Sequence, residues 1–209
     1  MNWSEKLLRS KAMVWTLIIL PGLWPFFPLW LWPTPSAQAD PLKFILHHLG
    51  FTACVLLAVV LSFNPLRVLF PRWGVAAALN RHRRLVGVSA CAYALLHFGV
   101  QVLLVYDGGF GTLATEIQKP FQLTGLIALV ILVALAATSL DTAVRWLGGR
   151  TWKNLHRLAY VAAALAAYHQ AAARKVFPLQ VVWIFGPLLL LELARVWRLQ
   201  SARRPARES

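Results

Sequence analysis

The sequence predicts an all-α protein, a polytopic membrane helix bundle with about six transmembrane helices and both termini cytoplasmic. Three observations predict it. The 209 residues are 59% hydrophobic and only 13% charged, and the mean hydropathy is +0.61, well above a soluble domain. Six apolar runs come close to the roughly 20 helical residues that cross a hydrocarbon core of about 30 Å. The basic residues fall in clusters between those runs rather than along one polar face,. Each run must be helical, because backbone N–H and C=O groups in lipid have to be satisfied within the segment, and none alternates like a barrel strand.

Taken in order, the first run, 12–32, follows Lys6, Arg9 and Lys11 and is rich in Trp and Pro. A basic start, an apolar stretch and Ala37-Gln38-Ala39 also look like a secretory signal with a small-residue cleavage site. A run of about 20 residues, however, is long for a signal core and suits a span. The second run, 44–63, leads into Arg67, Arg72, Arg81, Arg83 and Arg84. The third, 85–105, returns outward. The fourth, 121–140, is followed by Arg145, Arg150 and Lys153, and the fifth, 155–172, starts from that cluster. The sixth, 177–197, ends among Arg195, Arg198, Arg203, Arg204 and Arg207, while the opposite side carries only Lys43, Lys119, Arg174 and Lys175. Short cytoplasmic loops are enriched in Lys and Arg, so the clustered side is cytoplasmic. The expected organisation is a cytoplasmic segment 1–11, a transmembrane domain 12–198 and a basic cytoplasmic tail 199–209, in a bacterial inner membrane.

The net charge of +14 is accounted for by this topology and does not call for nucleic acid. No phosphate-cradling glycine loop, nucleophile elbow or dinucleotide fingerprint occurs, and the loops are too short for a catalytic domain. Cys54 and Cys91 lie inside apolar runs without C-x-x-C spacing, so they read as small buried hydrophobes. Chemistry has to happen between helices.

Six histidines are present: His47, His48, His82, His97, His156 and His169. Ionisable groups inside a membrane are costly and face a bundle interior or a bound partner. His97 comes about 12 residues into the third span and His169 about 14 into the fifth, roughly 18 and 21 Å from the cytoplasmic side. Two imidazoles on different helices thus share one depth in the outer half of the membrane. That arrangement suits the two axial ligands of a haem held edge-on between helices, since the iron takes nitrogen from both faces. Gly87, Gly99 and the Ala-rich run 162–167 leave room for a flat macrocycle, or simply let helices pack closely. A structural histidine bonded to a neighbouring helix is the plain alternative for each ring.

His156 lies at the cytoplasmic end of the fifth span, about 140° around an ideal helix from His169. A second haem there would need a further ligand, for which His82 is the positional candidate. His47 and His48 start the second span near the depth of His97. Arg84 and Arg157, near the inner surface, can pair with cofactor carboxylates, a flavin phosphate or lipid headgroups.

Four stretches in order, "DPLKFILHHLG" (40–50), "RRLVGVSACAYALLH" (83–97), "PFQLTGL" (120–126) and "WKNLHRLAY" (152–160) followed by His169, resemble the MsrQ (YedZ) family. Its members are haem-binding membrane subunits of periplasmic protein-methionine-sulfoxide reductase systems, within the ferric-reductase-like transmembrane superfamily. The resemblance runs from about residue 10 to 198. It implies b-type haem, with FMN as a further cofactor. It also implies an electron path from the quinone pool or a cytoplasmic flavin reductase to MsrP, a periplasmic molybdopterin enzyme that reduces methionine sulfoxide. By position, His97, His156 and His169 fall on the family's haem-associated histidines, with His97 and His169 as iron ligands. The chain itself is then a non-catalytic electron-transfer subunit. The alternatives are another ferric or quinone reductase-type cytochrome b, or a redox-inert membrane scaffold or carrier whose histidines merely pack.

Overall fold

The computed structural model describes residues 10–106 and 108–202; most of the two expected terminal segments, residues 1–9 and 203–209, lies outside them. Among the described residues every regular element is a helix. Helix α1 (Lys11–Leu23) leads through a π-helical turn at Phe27–Leu31 to a short α2 (Pro35–Ala39) and the long α3 (Pro41–Leu69). Next come α4 (Gly74–Arg81) and α5 (Arg83–Val100), the latter extended by a π-helical turn at Gln101–Val105. Then follow α6 (Phe110–Glu116), α7 (Pro120–Ala137), α8 (Asp141–Leu147), α9 (Gly149–Leu155), α10 (Leu158–Ala172) and α11 (Gln180–Ser201).

Four of the six expected spans form helices long and apolar enough to cross a membrane: α3, α5 with its π turn, α7 and α11. The first run yields a 13-residue helix, because Pro21, Pro25 and Pro28 withhold backbone donors and break it into a helix and a π turn,. The fifth yields the 15-residue α10. Asp40 caps α3 by accepting a hydrogen bond from the Lys43 backbone N–H at 3.0 Å, and Pro41 occupies the first helical position, where a missing N–H costs nothing,. Pro120 starts α7 in the same way. Gly148, at φ +73°, makes the break between α8 and α9 that a residue with a Cβ would strain to make,.

Helix α3 is the axis of the bundle, packed against α1, α5, α10 and α11, while α7 closes the far side against α10 and α5. Burial is highest in α3, where 33% of its 18-residue apolar stretch is buried, and lowest among the long helices in α11, at 11%. The outward residues are apolar: Leu103, Val130, Leu189 and Leu190 are all more than half exposed, as a lipid-facing surface requires. The shared core joins Leu57 of α3 with Ala53 of α3, Ala90 of α5, and Ala162 and Ala163 of α10, and the alanines let these helices approach closely. Helix α1 docks through Tyr93, whose hydroxyl donates to the Ile18 carbonyl at 2.7 Å, with Gly22 leaving the room that this ring occupies.

Three contacts gather the basic clusters at one end of the bundle. Arg84 pairs with Asp141 at 2.5 Å, Arg198 donates to the Leu69 carbonyl, and the Arg83 guanidinium sits 5.4 Å from the centre of the Trp152 ring,. Arg84 holds the Asp141 carboxyl below its ordinary pKa by hydrogen bonding and charge. At the opposite end Arg174 meets His47.

Candidate functional site

The site lies between α3, α5, α7 and α10, and its chemistry is carried by two rings. His97 on α5 and His169 on α10 face each other with ring centres 6.1 Å apart and planes 81° apart. Each ring is fixed from behind by a carbonyl of a different helix. Nδ1 of His97 lies 2.8 Å from the Leu46 carbonyl of α3, and Nδ1 of His169 lies 2.6 Å from the Phe121 carbonyl of α7. A carbonyl only accepts, so each Nδ1 is the protonated nitrogen and donates, which leaves Nε2 with its lone pair available.

Two glycines make this anchoring sterically feasible. A Cβ on Gly50 would come within 3.0 Å of Nδ1 of His97, and one on Gly125 within 2.6 Å of Nδ1 of His169. The second distance is below any real carbon–nitrogen contact, so the imidazole occupies space that only glycine leaves open. Gly87 and Gly99, read from the sequence as room for a macrocycle, have no such neighbour. The Ala-rich run serves helix packing, through Ala162 and Ala163 in the core.

A cavity of about 270 Å³ opens at the rings, lined towards the end that gathers the basic clusters by Ala53, Cys54, Ala94, Leu129 and Leu132. Towards the other side Leu113, Ile117 and Phe121 share the lining with the polar His47, Gln101, Tyr106, Gln122, Gln170 and Arg174. Gln101 opens the π-helical turn directly after His97's helix, and such turns concentrate at functional sites. Gln122 donates to the Tyr106 hydroxyl at 3.1 Å. The Gln170 side-chain oxygen, next to His169, is buried without a partner.

The donor set fits a six-coordinate metal in a flat macrocycle better than a bare ion. Among the described residues no three His, Cys, Asp or Glu side chains gather to hold a metal, so the two imidazoles would need four more donors from the ligand itself. Two imidazoles sharing one metal need about 2 Å per bond plus about 1 Å from each nitrogen to its ring centre, about 6 Å in all. The observed 6.1 Å meets this. A backbone carbonyl receiving the far N–H is the usual outer partner of a metal-bound histidine, fixing its tautomer.

His156 is placed elsewhere, just after α9 at the end that gathers the basic clusters, with its ring centre 4.0 Å from that of Trp152 and the planes tilted by 30°. Both its nitrogens are engaged, Nε2 with the Ser139 hydroxyl at 3.3 Å and Nδ1 with the Trp152 carbonyl at 3.1 Å. Trp152 is itself tied to the Thr138 carbonyl at 2.9 Å. His48 lies 2.6 Å from the Pro21 carbonyl, joining α3 to α1, and His82 is buried. Gly50 and Gly125 were missed from the sequence as site residues, although "ILHHLG" and "PFQLTG" contain them. Their signal is a glycine in the middle of an apolar helix, which lowers helix propensity and therefore calls for a neighbour that needs the space.

Fold and site define a polytopic all-α membrane protein in which two carbonyl-anchored imidazoles face each other in a cavity that is apolar on one side and partly polar on the other. The chain belongs to the family of ferric reductase like transmembrane components, which matches residues 49–167. It is also 35% identical over 198 residues to the protein-methionine-sulfoxide reductase heme-binding subunit MsrQ of Brucella ovis, covering 93% of this chain and 85% of that relative. The proteins of that name from Brucella canis and Brucella suis match with the same identity and coverage. No solved structure matches significantly.

Proposed function

We propose that this chain is a membrane electron-transfer subunit that binds one b-type haem between His97 and His169. In this reading it accepts electrons from the quinone pool or a cytoplasmic flavin reductase and delivers them to MsrP, a periplasmic molybdopterin methionine-sulfoxide reductase. The observation that carries it is the facing pair itself, two rings at the separation a shared metal requires, each locked by a carbonyl of another helix. Relatives that cover most of the chain are named as heme-binding subunits of a methionine-sulfoxide reductase, which supports both the cofactor and the system.

Haem held there supplies a one-electron couple that cycles without proton transfer at its ligands. The chain's own residues do the rest. Leu46 and Phe121 carbonyls hold each ring in its Nε2-ligating tautomer, Gly50 and Gly125 admit the rings, and Leu129 and Leu132 keep water from the inner part of the cavity. The transmembrane domain 12–198 sits in a bacterial inner membrane with both ends cytoplasmic, since the basic clusters meet at one end of the bundle,. The pair then lies in the outer half, near a periplasmic acceptor. FMN remains a family expectation with no residue assigned to it. A second haem at His156 would have to displace Ser139 or the Trp152 carbonyl, so this reading gives His156 no iron.

The test is the dithionite-reduced minus oxidised spectrum of the purified protein, expressed with haem supplementation. A low-spin b-type signal that disappears in His97→Ala and in His169→Ala supports the proposal. A colourless wild-type protein overturns it and returns the histidines to a packing role.

A further inference from the structure

The cavity is apolar throughout inward of the rings and carries polar groups only outward of them, among Leu113, Ile117 and Phe121, and α3, α5 and α7 share this direction. On α7, Gln122 lies one turn outward of Gly125, while Leu129 and Leu132 lie one and two turns inward. On α3, His47 lies one turn outward of Gly50, with Ala53 and Cys54 inward. On α5, Gln101 is one turn beyond His97 and Ala94 one turn before it. Just past the end of α10, Arg174 is the outward neighbour of His169. A second pocket opens at this rim and shares His47, Phe51, Arg174 and Gln180 with the first, adding Asp40 and Lys43.

Arg174 is the notable charge. Among the described residues the cations in ion pairs are Arg84, Lys119 and Arg195, so Arg174 has no carboxylate partner there. Its Nη2 donates instead to Nδ1 of His47 at 3.2 Å, which holds the guanidinium at the junction of the two pockets. A planar fork aimed at a cavity mouth is suited to carboxylates.

Resting on haem binding between His97 and His169, we propose that the macrocycle is seated with its two carboxylates outward, paired with Arg174, and that His47 is the positioning residue for that guanidinium. A macrocycle with one charged edge and one apolar edge lowers its free energy by matching this direction, because burying an unpaired carboxylate among Leu129 and Leu132 would be costly. The pairing also acts on the redox couple. Reduction adds negative charge, so a cation at the rim stabilises the reduced form and raises the midpoint potential.

The experiment is a redox titration of the haem-loaded, detergent-purified full chain, comparing wild type with Arg174→Gln, Arg174→Lys and the neighbouring Lys175→Gln. Each is loaded once with haem and once with its dimethyl ester, which has no carboxylate charge. With ordinary haem, Arg174→Gln keeps the low-spin spectrum and shifts the potential downward, Arg174→Lys recovers most of the shift, and Lys175→Gln shifts it less. Haem retention is read in the same preparations: Arg174→Gln retains less ordinary haem than wild type, whereas the two retain the dimethyl ester equally, because the ester has no carboxylate to pair. A potential shift no larger than that of Lys175→Gln, or a retention deficit as large with the ester as with ordinary haem, overturns the pairing and makes Arg174 a general surface charge. Absence of haem from the wild-type protein is a different failure, that of the haem reading itself.

Discussion

His97 and His169, the outer pair, and His156, at the end that gathers the basic clusters, are the same side chain, yet the structure treats them differently. Each ring of the outer pair has one nitrogen bonded to a carbonyl of a neighbouring helix and the other nitrogen uncommitted, facing a cavity. The His156 ring lies against Trp152 with partners at both nitrogens. What separates the two settings is the unspent lone pair of each outer ring and the space in front of it.

Replacing either outer ring breaks the comparison most severely. His97→Ala and His169→Ala should each abolish the low-spin haem signal, because one remaining imidazole leaves the sixth position open. Gly125→Ala should come next. Its methyl would demand the space of the His169 ring, so haem occupancy should fall by about tenfold, the scale seen when outer partners of metal ligands are lost, whereas Gly87→Ala, which meets nothing, should leave the spectrum unchanged. Absorbance per protein measures both.

His156→Ala sharpens the comparison from the other side. It should leave the haem signal intact and lower thermal stability through lost stacking and hydrogen bonds, by about 1 to 2 kcal/mol. A loss of about half the haem would instead show a second site at His156. The smallest effect is expected from Arg84→Gln, whose ion pair with Asp141 is open to solvent, so melting in moderate salt should not change detectably.

Much of the outer site was legible in the sequence. Counting residues from the basic boundary put His97 and His169 at one height, and the structure places their rings 6.1 Å apart. Height alone could not find Gly50 and Gly125, because which residues of α3 and α7 stand behind a ring depends on how those helices are rotated and how they cross. The Arg174–His47 contact joins residues 127 positions apart and leaves no local trace. The first span was expected over 12–32, but three prolines shortened its helix to Lys11–Leu23, a case in which apolar length outweighed a breaker signal that was present in the sequence. For His156, the 140° offset from His169 already argued against a shared face, and the Trp152 stack gives the physical reason why it stands apart.

The most direct test of the central claim is the low-temperature electron paramagnetic resonance spectrum of the oxidised, haem-loaded protein, recorded for wild type, His97→Ala, His169→Ala and His156→Ala. The account predicts a low-spin ferric signal of the strongly anisotropic kind that near-perpendicular imidazole planes produce. It should be retained in the His156 variant and absent from the other two. A high-spin signal in fully loaded wild type, or a low-spin signal that survives replacement of His97 or His169, would contradict the assignment of this pair as the axial ligands.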